Sequence, residues 1–160
     1  MTDPTPATPP VLQLRLVVEA DDYDRAVAFY RDVLGLPEQA AFEGDGDARV
    51  AILEAGRATL EIANPAQKRM IDQAEVGRPT EPGIRVAFEV ADTAATTQRL
   101  VDAGATLVAP PTETPWRSLN ARLDGPAGLR LTVFQELEAL DERRSRDGFG
   151  TDAHRHAEEA

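Results

Sequence analysis

Two arginines stand at the same step of two similar segments, and any chemistry in this chain would start from them. Near the N-terminus the sequence reads Arg15-x-Val17-x-Glu19, and at an offset of 85 − 15 = 70 it reads Arg85-x-Ala87-x-Glu89. Alternate residues of a strand share a face, so each trio points to one side. Two later segments place Thr59, Glu61 and Ala63 on one face, and Arg130, Thr132 and Phe134 on another. A guanidinium is a permanently charged planar fork that grips a carboxylate or a carbonyl oxygen. If the chain is an enzyme, Glu61 is the candidate general base, with Arg15 and Arg85 stabilising a developing oxyanion. Trp116 and Phe134 offer aromatic surface for stacking. A closed core does not tolerate this many charges, because unpaired burial costs on the order of several kcal/mol each. The face therefore reads as a cavity wall, wet or filled by ligand. The competing reading is a buried network in which Arg15, Glu61 and Arg85 neutralise one another. Arg49, Asn120 and Arg122 reach the same face from the hairpins if the register holds, and point outward if it slips by one residue.

The elements that must carry these residues are legible from periodicity. A strand over 11–19 separates Leu14, Leu16 and Val18 from Arg15, Val17 and Glu19. Asp21 or Asp22 caps a helix whose Ala26, Phe29, Tyr30, Val33 and Leu34 form one apolar stripe, expected to meet Leu14, Leu16 and Val18. Gly35 ends that helix. A short strand over 40–42 precedes the Gly44-Asp45-Gly46-Asp47 turn, and strands over 49–54 and 58–63 flank Ala55-Gly56-Arg57 as a hairpin. A helix over 66–76 follows Asn64-Pro65, with Gly77 at its end. The pattern then repeats: a strand over 84–91, a helix over 93–103 closed by Gly104, and a hairpin of strands 118–123 and 129–135. Gly35 meets Gly104 at 104 − 35 = 69, and Glu61 meets Thr132 at 132 − 61 = 71. Three near-equal offsets in different elements indicate a tandem repeat of a β-α-β-β-β module.

The chain has 160 residues, 42% of them hydrophobic, which supports one packed domain. A single domain is expected over 11–136, with module one at 11–77 and module two at 83–136. A Pro/Thr-rich leader (1–10) and a charged tail (137–160) are expected to be disordered at least in part. The formal net charge of −11, with no basic stripe, disfavours a nucleic-acid partner. No apolar run is long enough to cross a bilayer, which leaves no membrane partner. With no cysteine, thiolate metal sites and disulfides are excluded, and a cytoplasmic location is the default expectation. His154 and His156 in the tail read as solvated residues rather than as metal ligands.

Arg-Ala-Val-Ala-Phe-Tyr-Arg-Asp-Val-Leu-Gly-Leu (25–36), following a strand and an Asp-capped turn, resembles the first module of the vicinal oxygen chelate family. Pro115-Trp116 with Asp124-Gly125-Pro126-Ala127-Gly128-Leu129 is similar to that family's second-half hairpin. The family includes glyoxalase I, extradiol dioxygenases, and fosfomycin- and bleomycin-resistance proteins. The resemblance implies an α+β fold of two tandem βαβββ modules forming a cupped mixed sheet, built as a homodimer. It puts the metal-ligand positions of the metal-dependent members at Arg15, Glu61, Arg85 and Thr132. Only Glu61 of these is a ligand type, and two guanidiniums repel a dication. The expectation is therefore no metal and no cofactor. Three functions follow. One is a metal-independent binding protein of the bleomycin-resistance type, holding an anionic or carbonyl-bearing organic ligand among Arg15, Val17, Glu61, Arg85, Ala87, Trp116, Thr132 and Phe134. Another is a lyase, isomerase or cyclase, of the lactoylglutathione lyase kind, with Glu61 as catalytic base. The third is an interaction module whose cup is filled by its own side chains.

Overall fold

The computed structural model describes residues 15, 16, 18, 20–43, 45–59, 61, 63–81 and 83–145. The leader, the strand expected over 11–19 as a whole, Val17, Glu19, and the tail beyond Ser145 with His154 and His156 lie outside the described residues. A four-stranded mixed sheet dominates what is described. It is built from β3 (Val86–Glu89), β4 (Thr106–Glu113), β5 (Ser118–Asp124) and β6 (Arg130–Glu136), in the order β3-β6-β5-β4. β3 runs parallel to β6, and the other two pairings are antiparallel. The helix α3 (Thr93–Asp102) crosses from β3 to β4, completing the second βαβββ module.

Local chemistry explains this module. The Asp92 side chain caps α3 by accepting from the Ala95 N–H at 2.9 Å. Gly104, at φ +103°, turns the chain out of the helix, and the Ala105 N–H returns to the Leu100 carbonyl at 3.0 Å. Ala121, Leu123, Leu131 and Val133 alternate toward α3 and are almost completely buried, with Leu100 between them. The register places Asn120 beside Phe134, and Arg122 beside Thr132, on the opposite face. β4, a strand that the sequence pattern does not announce, carries Pro110 and Pro111. It is an edge strand with irregular pairing to β5, where proline's missing N–H is tolerated.

The first module supplies a helix and a hairpin. α1 (Tyr23–Val27) is capped by Asp22, which accepts from the Arg25 N–H at 3.1 Å, and it continues as a π-helical turn (Ala28–Val33). The expected partner of its stripe is corrected by the packing. Leu16 and Val18 are exposed, whereas Phe29 and Tyr30 are buried against Leu100, Leu123, Leu131 and Val133 of the second module. The Tyr30 hydroxyl adds a 2.8 Å bond to the Pro126 carbonyl. β1 (Glu38–Glu43) pairs with β2 (Arg49–Leu53) around the turn where Gly46 takes φ +71°. Among the described residues of the hairpin expected on the far side of β2, Ala58, Thr59, Glu61 and Ala63 lie in no strand. That segment runs instead into α2 (Pro65–Glu75), where the Asn64 side chain accepts from the Gln67 N–H at 2.9 Å and Pro65 opens the first turn. A last short helix, α4 (Leu140–Arg144), follows β6.

Candidate functional site

The sheet face opposite α3 is where the sequence put its chemistry, and it divides into two halves. On the β3–β6 half, Arg85 is half-buried and donates from Nη1 to the Thr132 hydroxyl at 2.8 Å. Thr132 is fully buried; Ala87 stands beside it across the β3–β6 pair, and Glu89 stands beside Phe134. Strand register brings Ala87, Thr132 and Phe134 together, and Arg85, just before β3, joins them through its bond to Thr132. Ala87 and Glu89 are exposed, so this half is open to solvent.

The β5 half is covered by α2 through a network of buried charge. Arg122 is 1% exposed and reaches both acids of the helix. Its Nη1 donates to Asp72 Oδ1 at 3.1 Å and to the Thr80 hydroxyl at 3.2 Å, and its Nη2 donates to Glu75 Oε2. Asp72 also accepts from Lys68 Nζ at 2.7 Å, from the Thr80 N–H at 3.0 Å and from the Thr80 hydroxyl at 2.9 Å. Burial pushes the Asp72 carboxyl up, but these bonds together outweigh it and hold the group below the usual carboxylate range. Asn120 Nδ2 donates to Glu75 Oε1 at 2.7 Å. Two cations, Lys68 and Arg122, thus meet two carboxylates, so the cluster is formally neutral.

Strand faces alone do not reveal Asp72, Glu75, Lys68 and Thr80. The signal lies in α2 itself: Lys68, Asp72 and Glu75 fall at i, i+4 and i+7, on the same side as the buried Ile71. Acids on a helix's inward face need a buried cation, and Arg122 supplies it.

Among the other expected residues, Val17 lies outside the described residues. Glu61 and Arg15 are exposed, and Trp116 is partly buried in the turn between β4 and β5. Two open clefts lie at the start of α1. One, of about 370 Å³, is lined by Asp21, Asp22, Arg25 and the 126–128 turn. The other, of about 600 Å³, is lined by residues 20–24 with Asp47 and Arg49. The second has an excess of acid, and the linings of both contain none of the sheet-face residues. The chemistry of the donors counts against a metal at the positions the resemblance implied. Arg85 and Thr132 are engaged with each other, neither is an anionic ligand, and a guanidinium cannot be deprotonated there. Among the described residues no group of three His, Asp or Glu side chains is placed to hold a metal ion. The residues present do not fit the metal.

Known proteins share this architecture. The profile described as the Glyoxalase/Bleomycin resistance protein/Dioxygenase superfamily matches residues 13–133. No curated protein matches the chain. Among solved structures, TnmS3, an antibiotic binding protein from Streptomyces sp. CB03234, is 21% identical, with a TM-score of 0.51 over 81% of this chain and 99% of that one. A glyoxalase-related enzyme from Fulvimarina pelagi is 17% identical, with a TM-score of 0.49 over 79% and 89%. TioX from Micromonospora sp. ML1 is 20% identical, with a TM-score of 0.47 over 71% and 89%. These likenesses concern the fold alone. With the match spanning both modules, the chain belongs to the glyoxalase/bleomycin resistance protein/dioxygenase superfamily.

Proposed function

We propose that this protein is a metal-independent small-molecule binding protein that holds an anionic or carbonyl-bearing organic ligand on the β3–β6 half of its sheet. The observation that carries this reading is the Arg85–Thr132 pair at the step where metal-dependent members place ligands. Arg85 keeps N–H donors beyond the one bonded to Thr132, and a guanidinium fork is suited to a planar oxyanion. Ala87 leaves room beside it, and Phe134 offers an apolar ring for the ligand's body. Arg15, Val17, Glu61 and Trp116 belong to the same proposal as residues that close around the ligand from the first module and the β4–β5 turn. One structural neighbour, TnmS3, is an antibiotic binding protein, which is in keeping with sequestration rather than turnover. The same reading includes a homodimer and a cytoplasmic home. Ile84, 75% exposed just before the edge strand β3, is a residue that a second copy can cover.

A second reading, a module whose cup is filled by its own side chains, is favoured by one observation: α2 already fills the β5 half. The enzyme reading needs Glu61 as base, and Glu61 is exposed. Calorimetric titration with a panel of aryl carboxylates and ketones in excess chelator tests these readings. The expected result is saturable binding to the wild type, weakened about tenfold or more by Arg85→Gln, which corresponds to roughly 1.4 kcal/mol. Glu61→Gln is expected to change affinity much less. Binding that requires an added divalent ion, or no binding by any member of the panel, refutes the proposal.

A further inference from the structure

The grip of Glu75 on Arg122 is incomplete. A guanidinium offers a side-on fork from Nε and Nη2, which a carboxylate fills with both oxygens. Glu75 uses only Nη2, and its second oxygen turns to Asn120. The Arg122 Nε–H is buried without an acceptor, and Asn120 Oδ1, two residues earlier on β5, is buried without a donor. Orphaned buried polar atoms of this kind are exceptions that need a reason. Asn120 and Arg122 are 6% and 1% exposed, so both side chains are themselves buried. They are two steps apart on one strand face, next to Phe134 and Thr132 across β6. The helix above them is held mainly by charge. Ile71 is its one fully buried apolar side chain, and Met70 is 49% exposed. Elements with little apolar burial release at low free-energy cost.

We propose that Arg122 and Asn120 form a carboxylate-recognition subsite that α2 keeps closed by inserting Glu75. An incoming ligand carboxylate displaces Glu75 and fills both arms of the Arg122 fork. A hydroxyl next to that carboxylate donates to Asn120 Oδ1, and an aryl group rests on Phe134. The ligand class is therefore an aryl α-hydroxy carboxylate. The proposal rests on the ligand-binding reading above and extends the binding face from β6 onto β5. It makes α2 an internal competitor, so apparent affinity reports the ligand's advantage over Glu75.

The probe is mandelate, with uncharged mandelamide as control, on the full-length protein. Hydrogen exchange of the wild type is expected to show faster exchange over residues 65–77 with saturating mandelate and no change with mandelamide. In calorimetry, Glu75→Gln is expected to bind mandelate about tenfold more tightly, roughly 1.4 kcal/mol. Adding Arg122→Lys, which keeps a cation for Asp72 but removes the fork, is expected to erase that gain. Unchanged protection of α2 at saturation overturns the subsite. So does a folded Glu75→Gln variant with wild-type affinity, or a gain that survives Arg122→Lys. Mandelate binding that depends on Arg85 but ignores Glu75 and Arg122 refutes the subsite and leaves the proposed function standing. No mandelate binding to any variant overturns the subsite, and the proposed function falls with it only if the whole panel of aryl carboxylates and ketones fails too.

Discussion

Replacing Arg122 by methionine keeps most of the side chain's length and removes its charge. Two carboxylates then remain under α2. Asp72 retains Lys68 and the two Thr80 donors, whereas Glu75 retains only Asn120. Removing one partner of a buried ion pair typically costs about 3–5 kcal/mol, because the other charge stays desolvated. For a chain of this size roughly 2–4 °C of melting temperature accompanies each kcal/mol. The expected fall in Tm is therefore roughly 6–20 °C. The loss has a ceiling, since α2 can undock and let Glu75 reach water. Undocking forfeits the burial of Ile71, worth about 1.5–3 kcal/mol, together with the polar contacts. The informative companion is Asp72→Asn/Glu75→Gln/Arg122→Met, which neutralises the cluster around Lys68. It removes the three buried charges together and leaves only Lys68, whose side chain is 35% exposed and can reach water, so the triple variant is expected to melt above the single one. The assay is thermal and urea unfolding followed by circular dichroism, with coupling taken from the cycle of single and combined variants. A single Arg122→Met variant within about 0.5 kcal/mol of wild type, the range of an ordinary surface change, refutes the claim that this cluster holds α2 down.

Other consequences concern the same contacts. The Asp72 carboxyl is depressed in the folded state, so its contribution to stability is complete above its unfolded pKa of about 3.9 and fades as pH falls through and below that value. The urea midpoint of wild type is expected to drop across that acid range, and that of Asp72→Asn to drop less. An ideal Cβ at Gly125 would lie 2.8 Å from the Tyr30 hydroxyl and 2.9 Å from Leu131 Cδ1, so Gly125→Ala is expected to lose about 1–3 kcal/mol by urea unfolding. Tyr30→Phe removes the bond to the Pro126 carbonyl and is expected to cost about 0.5–1.5 kcal/mol in the same measurement.

Much of the second module is legible in the sequence because its signals are local. Asp92 and Gly104 bracket α3, and strict alternation from Ser118 to Asp124 separates Ala121 and Leu123 from Asn120 and Arg122. Ala87, Thr132 and Phe134 can be grouped for the same reason, strand parity, and Arg85 continues that parity one residue before β3. β4 is hidden because Pro110-Pro111 reads as a breaker, and only its edge position makes it tolerable. The apolar stripe of α1 is plain in the sequence, but its partner is not. Periodicity says which side of a helix is apolar and nothing about which sheet receives it. The α2 cluster needs a contact between residues 72 and 122, fifty positions apart in the chain. No local rule supplies that, although acids on an inward helix face signal that some distant cation must exist.

The central claim is that the β3–β6 face binds its ligand through Arg85 without a metal. Calorimetric titration of metal-stripped protein with the aryl carboxylate and ketone panel, repeated with Mg²⁺, Mn²⁺ and Zn²⁺ added in turn, tests it most directly. The same affinity is expected in every titration, and its loss in Arg85→Gln. Affinity that appears only with an added ion, and survives Arg85→Gln, contradicts the claim.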